Sequence, residues 1–333
     1  MLNLTKNTIV LTNPLYLKIK KKLRYNSKLK IKNKIYNNIK ISDIKTQKNI
    51  LNTSLKWFGW SIVYNIYNKK AVMDIDTSVV TSIQIIISAS ITFIYSIYNR
   101  QNIQFFYKIS NPCLYILAFI FVSLGQWYGN HFGNMATQLM SISSVSIIKS
   151  SEPIISMILM YILFRSSIKL YKICLIIPII FGIILCNITD ISYNHYGAIL
   201  CILSNICHII KVIISRKYFN DILKYEGYQL LLLSSIGSFL ISLPIIYSNR
   251  AILINASDTS ILYILISGIS YHLNSVAAFH IVTKVSTVTY SIFNIYKRVA
   301  IVMTHYIINL EMPSIMTIFG IISSNIGLYY YLK

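Results

Sequence analysis

Six of the forty charged side chains, Lys56, Lys149, Glu152, Lys211, Lys297 and Arg298, lie inside or at the edge of long apolar stretches. A Lys or Arg at the centre of a bilayer costs roughly 2.5–3.5 kcal/mol on insertion scales, so its default reading is a functional group facing the protein interior. Lys56 and Lys211 lie near the ends of their stretches, where the aliphatic stem lets the ammonium snorkel to the interface. Lys149, Lys297 and Arg298 have long, mostly uncharged sequence on either side and no such exit.

Glu152 is one helical turn from Lys149 and is placed to pair with it or with Lys211, which makes Glu152 and Lys211 structural charge partners. Two positive charges then remain unmatched at mid-membrane, a state that an anionic ligand or a wet cavity would relieve. A guanidinium offers a planar fork of donors and an ammonium a compact charge with three, so Arg298, Lys149 and Lys297 together are suited to a tetrahedral phosphoryl group. Neither the five cysteines nor the six histidines fall at zinc-ligand spacing. No metal or other cofactor is expected.

The elements that must carry these residues are helices in lipid. The chain is 55 % hydrophobic and 12 % charged over 333 residues, more apolar surface than one water-soluble core hides. Apolar stretches of about 20 residues, the length of a membrane-crossing helix, follow one another from residue 54 to the C-terminus. Ile173 to Leu185 is apolar without alternation, which argues against a β-barrel. Ten spans are predicted, at 54–70, 77–97, 113–130, 133–166, 169–189, 194–219, 226–247, 259–284, 286–309 and 313–333. The region 113–166 is too long for one span and requires a turn between Gly133 and Ser144.

Ten spans put both termini on one side. That side carries ten bases in its connections and C-terminus against two acids, and the opposite side three bases against five acids, so the positive-inside rule predicts cytosolic termini. The net charge of +22 is concentrated in residues 1–53, with thirteen Lys or Arg against Asp43. A basic extension beside a membrane domain meets anionic lipid or serves targeting. Nucleic-acid binding is not expected, and no obligate protein partner is evident. The halves show a weak echo: Lys149 with Phe181-Gly182, and Lys297-Arg298 with Phe319-Gly320.

The segments Lys56-Trp57-Phe58, Asn68-Lys69-Lys70, Ile148-Lys149-Ser150-Ser151-Glu152-Pro153, Ser204-Asn205, Ser215-Arg216-Lys217, Tyr271-His272-Leu273 and Asn294-Ile295-Tyr296-Lys297-Arg298-Val299 resemble, in order and spacing, the plastid triose-phosphate/phosphate translocators of the drug/metabolite transporter superfamily. The resemblance covers about residues 54–333. It implies an all-α membrane protein of ten transmembrane helices in two inverted five-helix halves. It also implies antiport of inorganic phosphate against three-carbon phosphates such as triose phosphate, 3-phosphoglycerate or phosphoenolpyruvate, with Lys149, Lys297 and Arg298 at the phosphate.

The chain departs from the plant-type pattern near the rest of the substrate. Asn130 stands where those members have His, with His131 one place later; Gly133 replaces a hydroxyl residue; and Asn274 ends the Tyr-His-Leu-Tyr run. Asn130, His131, Asn134, Tyr271 and Asn274 are therefore candidates for the organic end, while His272 reads as a packed histidine. The richness in Ile, Asn, Lys and Tyr looks like an A+T-rich genome and is similar to apicomplexan parasites with a relict plastid. With no cleavable signal peptide evident, an outer plastid (apicoplast) membrane is the expected location. A nucleotide-sugar transporter of the same superfamily is the alternative; an enzyme would need paired carboxylates or a His–carboxylate set, and Glu152 stands alone in the spans.

Overall fold

The computed structural model describes residues 49–98, 111–165, 178, 181–182, 194–285, 287–309 and 312–332. Residues 1–52 and 53–333 form two units. Of the first, only residues 49–52 are described, and they are helical. Most of the basic extension and most of the expected span at 169–189, together with Arg100, Lys108, Lys169, Lys172, Asp190, Glu311 and Lys333, lie outside the described residues.

The described residues are helical and contain no strand. In chain order the helices are α1 over residues 49–74, α2 Thr77–Tyr98, α3 Pro112–Leu139, α4 Ile142–Lys149, α5 Glu152–Phe164, α6 His195–Ile214, α7 Gly227–Ser248, the short α8 Arg250–Ile254, α9 Asp258–Lys284, α10 Thr287–Asn309 and α11 Ile315–Leu332. Among the described residues six helical stretches are long and apolar enough to cross a membrane, α4 and α5 counting as one. Nine of the ten expected spans coincide with described helices.

The distribution of side chains is that of a protein solvated by lipid. Phe93, Ile94, Ile97, Leu117, Phe121, Ile199 and Leu240 face outward, while Ser82, Ser88, Ser234, Ser238, Ser242 and Ser267 are buried. In water such an outer surface would aggregate; in lipid it is the favourable one, and small hydroxyl residues inside let helices approach closely. Helix starts are marked in the sequence. Asn111, Ser141, Asn194 and Ser257 each accept from a backbone N–H in the first turn of α3, α4, α6 and α9, as N-caps do.

Two features of α3 position the site. Its C-terminus is closed by Lys69 of α1, whose Nζ donates to the carbonyls of Thr137 (2.6 Å), Gln138 (3.3 Å) and Met140 (3.0 Å). A cation there satisfies unpaired carbonyls and meets the negative end of the helix dipole. Gly125, Gly129 and Gly133, four residues apart, form a stripe along which α6 lies. A Cβ at these positions would meet the Cys207 carbonyl oxygen at 2.9 Å, the His208 ring at 2.9 Å and Lys149 Nζ at 2.6 Å.

The expected turn falls at Met140–Ser141, inside the predicted window, but α3 runs on through Gly133 to Leu139. The next span is interrupted at Ser150–Ser151. Pro153 explains the break. A proline has no N–H to give the carbonyl four residues back, and its ring crowds that carbonyl; here the carbonyl is that of Lys149, which instead accepts from Asn205 Nδ2 at 3.1 Å.

The Gly125 contact is with backbone and has little room to give. Gly125→Val is expected to lower stability by about 1–3 kcal/mol, the usual cost of overpacking, read as a lower melting temperature in detergent; an unchanged melt would mean that α3 and α6 are not in tight contact there.

Candidate functional site

The break between α4 and α5 opens onto a cavity of about 130 Å³ lined by side chains of α1, α3, α4, α5, α6, α9 and α10. Lys149 and Glu152 flank the break, and α10 packs against both half-helices, bringing in Lys297 and Arg298. The three cations expected from burial cost thus line one chamber, with Glu152 and Lys211. Among the described lining residues Glu152 is the single carboxylate against four cations.

The cations are held differently. Arg298 Nη2 donates to Glu152 Oε2 at 3.1 Å, and Asn294 Nδ2 to Oε1 at 2.7 Å, so both carboxylate oxygens are engaged from α10. The pairing expected of Glu152 with Lys149 or Lys211 is replaced by this one, because α10 presents Asn294 and Arg298, four residues apart, on the face that meets the start of α5. Lys297 Nζ sits 4.4 Å from the ring centroid of buried Trp57, which stacks on Tyr290 at 5.3 Å. A desolvated cation over an indole face gains on the order of 2 kcal/mol while leaving its donors unspent. Lys149 and Lys297 make no hydrogen bond through Nζ to a described residue.

Lys211 does not snorkel. Its helix continues as a π-helical stretch, Ser215–Ile222, and its ammonium turns into the chamber, donating to Gln126 Oε1 at 2.7 Å beside the Phe279 ring. Lys56 is exposed and does not line the chamber.

Of the residues expected at the organic end, Asn130, Asn134, Tyr271 and Asn274 line the cavity. Tyr271 Oη accepts from Asn130 Nδ2 at 2.6 Å and from Gln126 Nε2, and Asn274 Oδ1 accepts from Ser61 Oγ. Asn134 belongs to a buried amide network: it accepts from Asn68 at 2.9 Å and donates to Thr81 at 2.8 Å, and Gln84 donates to Asn68 at 2.8 Å and Ser267 at 2.9 Å. His131 is not among the lining residues; its ring stacks on Trp127 at 4.8 Å. One residue beyond Asn130 on a helix is a turn of about 100°, enough to leave the chamber face. His272 contacts the hydroxyls of Ser88 and Thr92 on α2 at 3.3 and 3.4 Å and also lies outside the lining. Among the described residues no group of three His, Cys, Asp or Glu could hold a metal ion.

The model of the "Triose-phosphate Transporter family" matches residues 49–332. The chain belongs to this family of membrane transporters, not enzymes. Similar proteins include the xylulose 5-phosphate/phosphate translocator, chloroplastic, of Arabidopsis thaliana, 25 % identical over 74 % of this chain and 61 % of that one. The triose phosphate/phosphate translocator of non-green plastids from Brassica oleracea var. botrytis is 26 % identical over 83 % of this chain and 70 % of its own. The chain thus spans less than two thirds of the first relative and slightly more of the second. A solved crystal structure superposes with a TM-score of 0.56 at 8 % identity, covering 84 % of this chain and 98 % of its own, a likeness of fold alone.

In this transporter, residues to which the sequence assigns no role at the site also line the chamber. Trp57, Ser61, Tyr64 and Asn68 of α1 do so, at helical spacing on one face, a signal readable as a polar stripe in an apolar helix. The contribution of Asn294 was equally visible as the residue one turn before Lys297 and Arg298.

Removing the Glu152 charge leaves the Arg298 guanidinium buried without its counter-ion. Glu152→Gln is expected to destabilise the transporter by about 3–5 kcal/mol, the cost of breaking a buried pair from one side, read as a fall in detergent melting temperature that Arg298→Met in the same chain partly restores. A double variant no more stable than the single one would contradict the pairing.

Proposed function

We propose that this transporter is an antiporter exchanging inorganic phosphate for three-carbon organophosphates (triose phosphate, 3-phosphoglycerate or phosphoenolpyruvate) by alternating access. The observation that carries the reading is the convergence of Lys149, Lys297 and Arg298 on one chamber with a single carboxylate. Phosphoryl oxygens accept from the two unspent ammoniums and from the guanidinium face not used by Glu152. Asn130, Asn134, Tyr271 and Asn274 supply neutral donors and acceptors to the carbon skeleton. The plastid translocators among the relatives support phosphate as the common partner.

Counter-exchange follows from electrostatics. Closing the chamber empty would sequester excess positive charge in a low-dielectric space at several kcal/mol per ion, and a phosphate dianion offsets most of that. Only the loaded carrier reorients fast, because a ligand shifts a conformational equilibrium only through its differential stabilisation of the two states. The scaffold of the proposal is ten helices in two inverted five-helix halves, one contributing the Lys149 break and the other Lys297 and Arg298. The site of action is a plastid membrane, the outer membrane of an apicoplast, with both termini cytosolic.

Reconstituted into liposomes, the chain is expected to take up labelled phosphate only when the vesicles contain phosphate or a three-carbon phosphate. Lys297→Met is expected to reduce that exchange by about tenfold or more, as loss of a charge-assisted contact does. Equal uptake into empty vesicles would refute exchange, and competition by nucleotide sugars in place of three-carbon phosphates would redirect the substrate assignment. Gly133→Ala tests the grip from the other side. Its methyl group would occupy the place of the Lys149 ammonium, so half-saturation by phosphate is expected to rise about tenfold with the melting temperature nearly unchanged; unaltered saturation would remove Lys149 from the phosphate.

A further inference from the structure

The phosphate grip leaves Lys211 unused, although its ammonium lines the same chamber. Among the described residues it has no carboxylate partner: Glu152 is committed to Arg298 and Asn294, and the hydrogen-bond acceptor of Lys211 is the neutral Gln126 Oε1 at 2.7 Å. Gln126 in turn donates to Tyr271, which also accepts from Asn130. Lys211 therefore stands at the end of the chamber assigned to the organic part of the substrate. A sugar-like or hydroxylated skeleton needs only the neutral amides and the phenol there; a buried ammonium is useful only to negative charge.

The two ends are separated by a measurable interval along α3. Lys149 Nζ lies at the level of Gly133 and Lys211 Nζ at the level of Gln126; seven residues of helix place these levels on one face about 10 Å apart. Charge-assisted contacts of about 2.8 Å at each end leave a gap wider than the edge of one phosphate tetrahedron. A phosphoryl group and a second anionic group on a skeleton of two or three carbon–carbon bonds of about 1.5 Å each can bridge it.

Among the described lining residues four cations and one carboxylate leave three positive charges; a phosphate dianion covers two, and a carboxylate on the same molecule covers the third.

We infer that Lys211, oriented by Gln126, forms a second anion subsite that receives the carboxylate of a three-carbon phosphocarboxylate and so sets a preference for such substrates over uncharged-tail phosphates. The inference rests on the proposed phosphate exchange. The test uses the full chain in phosphate-loaded liposomes, with uptake of labelled phosphate competed by phosphoenolpyruvate and 3-phosphoglycerate on one hand and by dihydroxyacetone phosphate and glycerol 3-phosphate on the other.

In the wild-type chain the carboxylate-bearing competitors are expected to half-inhibit at about tenfold lower concentration, the order of one charge-assisted hydrogen bond. Lys211→Gln is expected to bring that ratio close to one and Lys211→Arg to keep most of it. A wild-type ratio of one or less, or a ratio untouched by Lys211→Gln, overturns the subsite. Should Lys211→Gln fail to insert, Gln126→Leu, which removes the acceptor that orients the ammonium, is expected to lower the ratio several-fold, and an unchanged ratio there overturns the subsite as well. Absence of phosphate–phosphate exchange in the wild-type chain would instead overturn the carrier reading beneath it.

Discussion

A positive charge withdrawn from water must find something to replace its hydration shell, and the inner architecture of this protein is organised around four that have been withdrawn together. One is neutralised by a carboxylate, one rests on an indole, one leans on an amide and one lies in a notch left by a glycine. None of these arrangements saturates an ammonium, since each lysine has three donors. The chamber is a place where protein satisfies cations incompletely, and under the proposed function that incompleteness is what a bound anion relieves.

The backbone is shaped to make this possible. Pro153 forbids a continuous helix through the Lys149 carbonyl, and Asn205 from α6 takes up the freed acceptor, so that carbonyl is not left unsatisfied in the membrane. The glycine stripe of α3 allows α6 to come close enough for that bond, and Ser204 Oγ to reach the Gly129 carbonyl at 2.6 Å. A side chain larger than hydrogen would displace Cys207 at Gly125, His208 at Gly129 and Lys149 at Gly133.

Much of this was legible before any coordinates. Long apolar runs separated by polar punctuation place the helices, because in lipid hydrophobicity and length alone decide what crosses. The cost of burying them singles out Lys149, Lys297 and Arg298, and all three line the chamber. What sequence could not supply were relations between distant segments. The pairing of Glu152 was misassigned to neighbours on its own or a nearby span because nothing in one dimension says which face of α10 meets α5. Lys211 read as interfacial because Arg216 and Lys217 follow it closely in sequence, whereas its ammonium turns inward to Gln126 while the helix carries on through Ser215–Ile222. His131 and Asn130 are adjacent in sequence and part company only through helical rotation.

The amides joining α1, α2, α3 and α9 have a mechanical meaning. Asn68, Gln84, Asn134 and Ser267 exchange hydrogen bonds deep in the bundle, and Lys69 fastens the end of α3 to α1. Sliding any of the first three helices past another would strand several polar groups in hydrocarbon at once, without water to compensate. Held in one register by these bonds, the three helices would tilt together against the interrupted α4–α5 arm under the proposed alternating access.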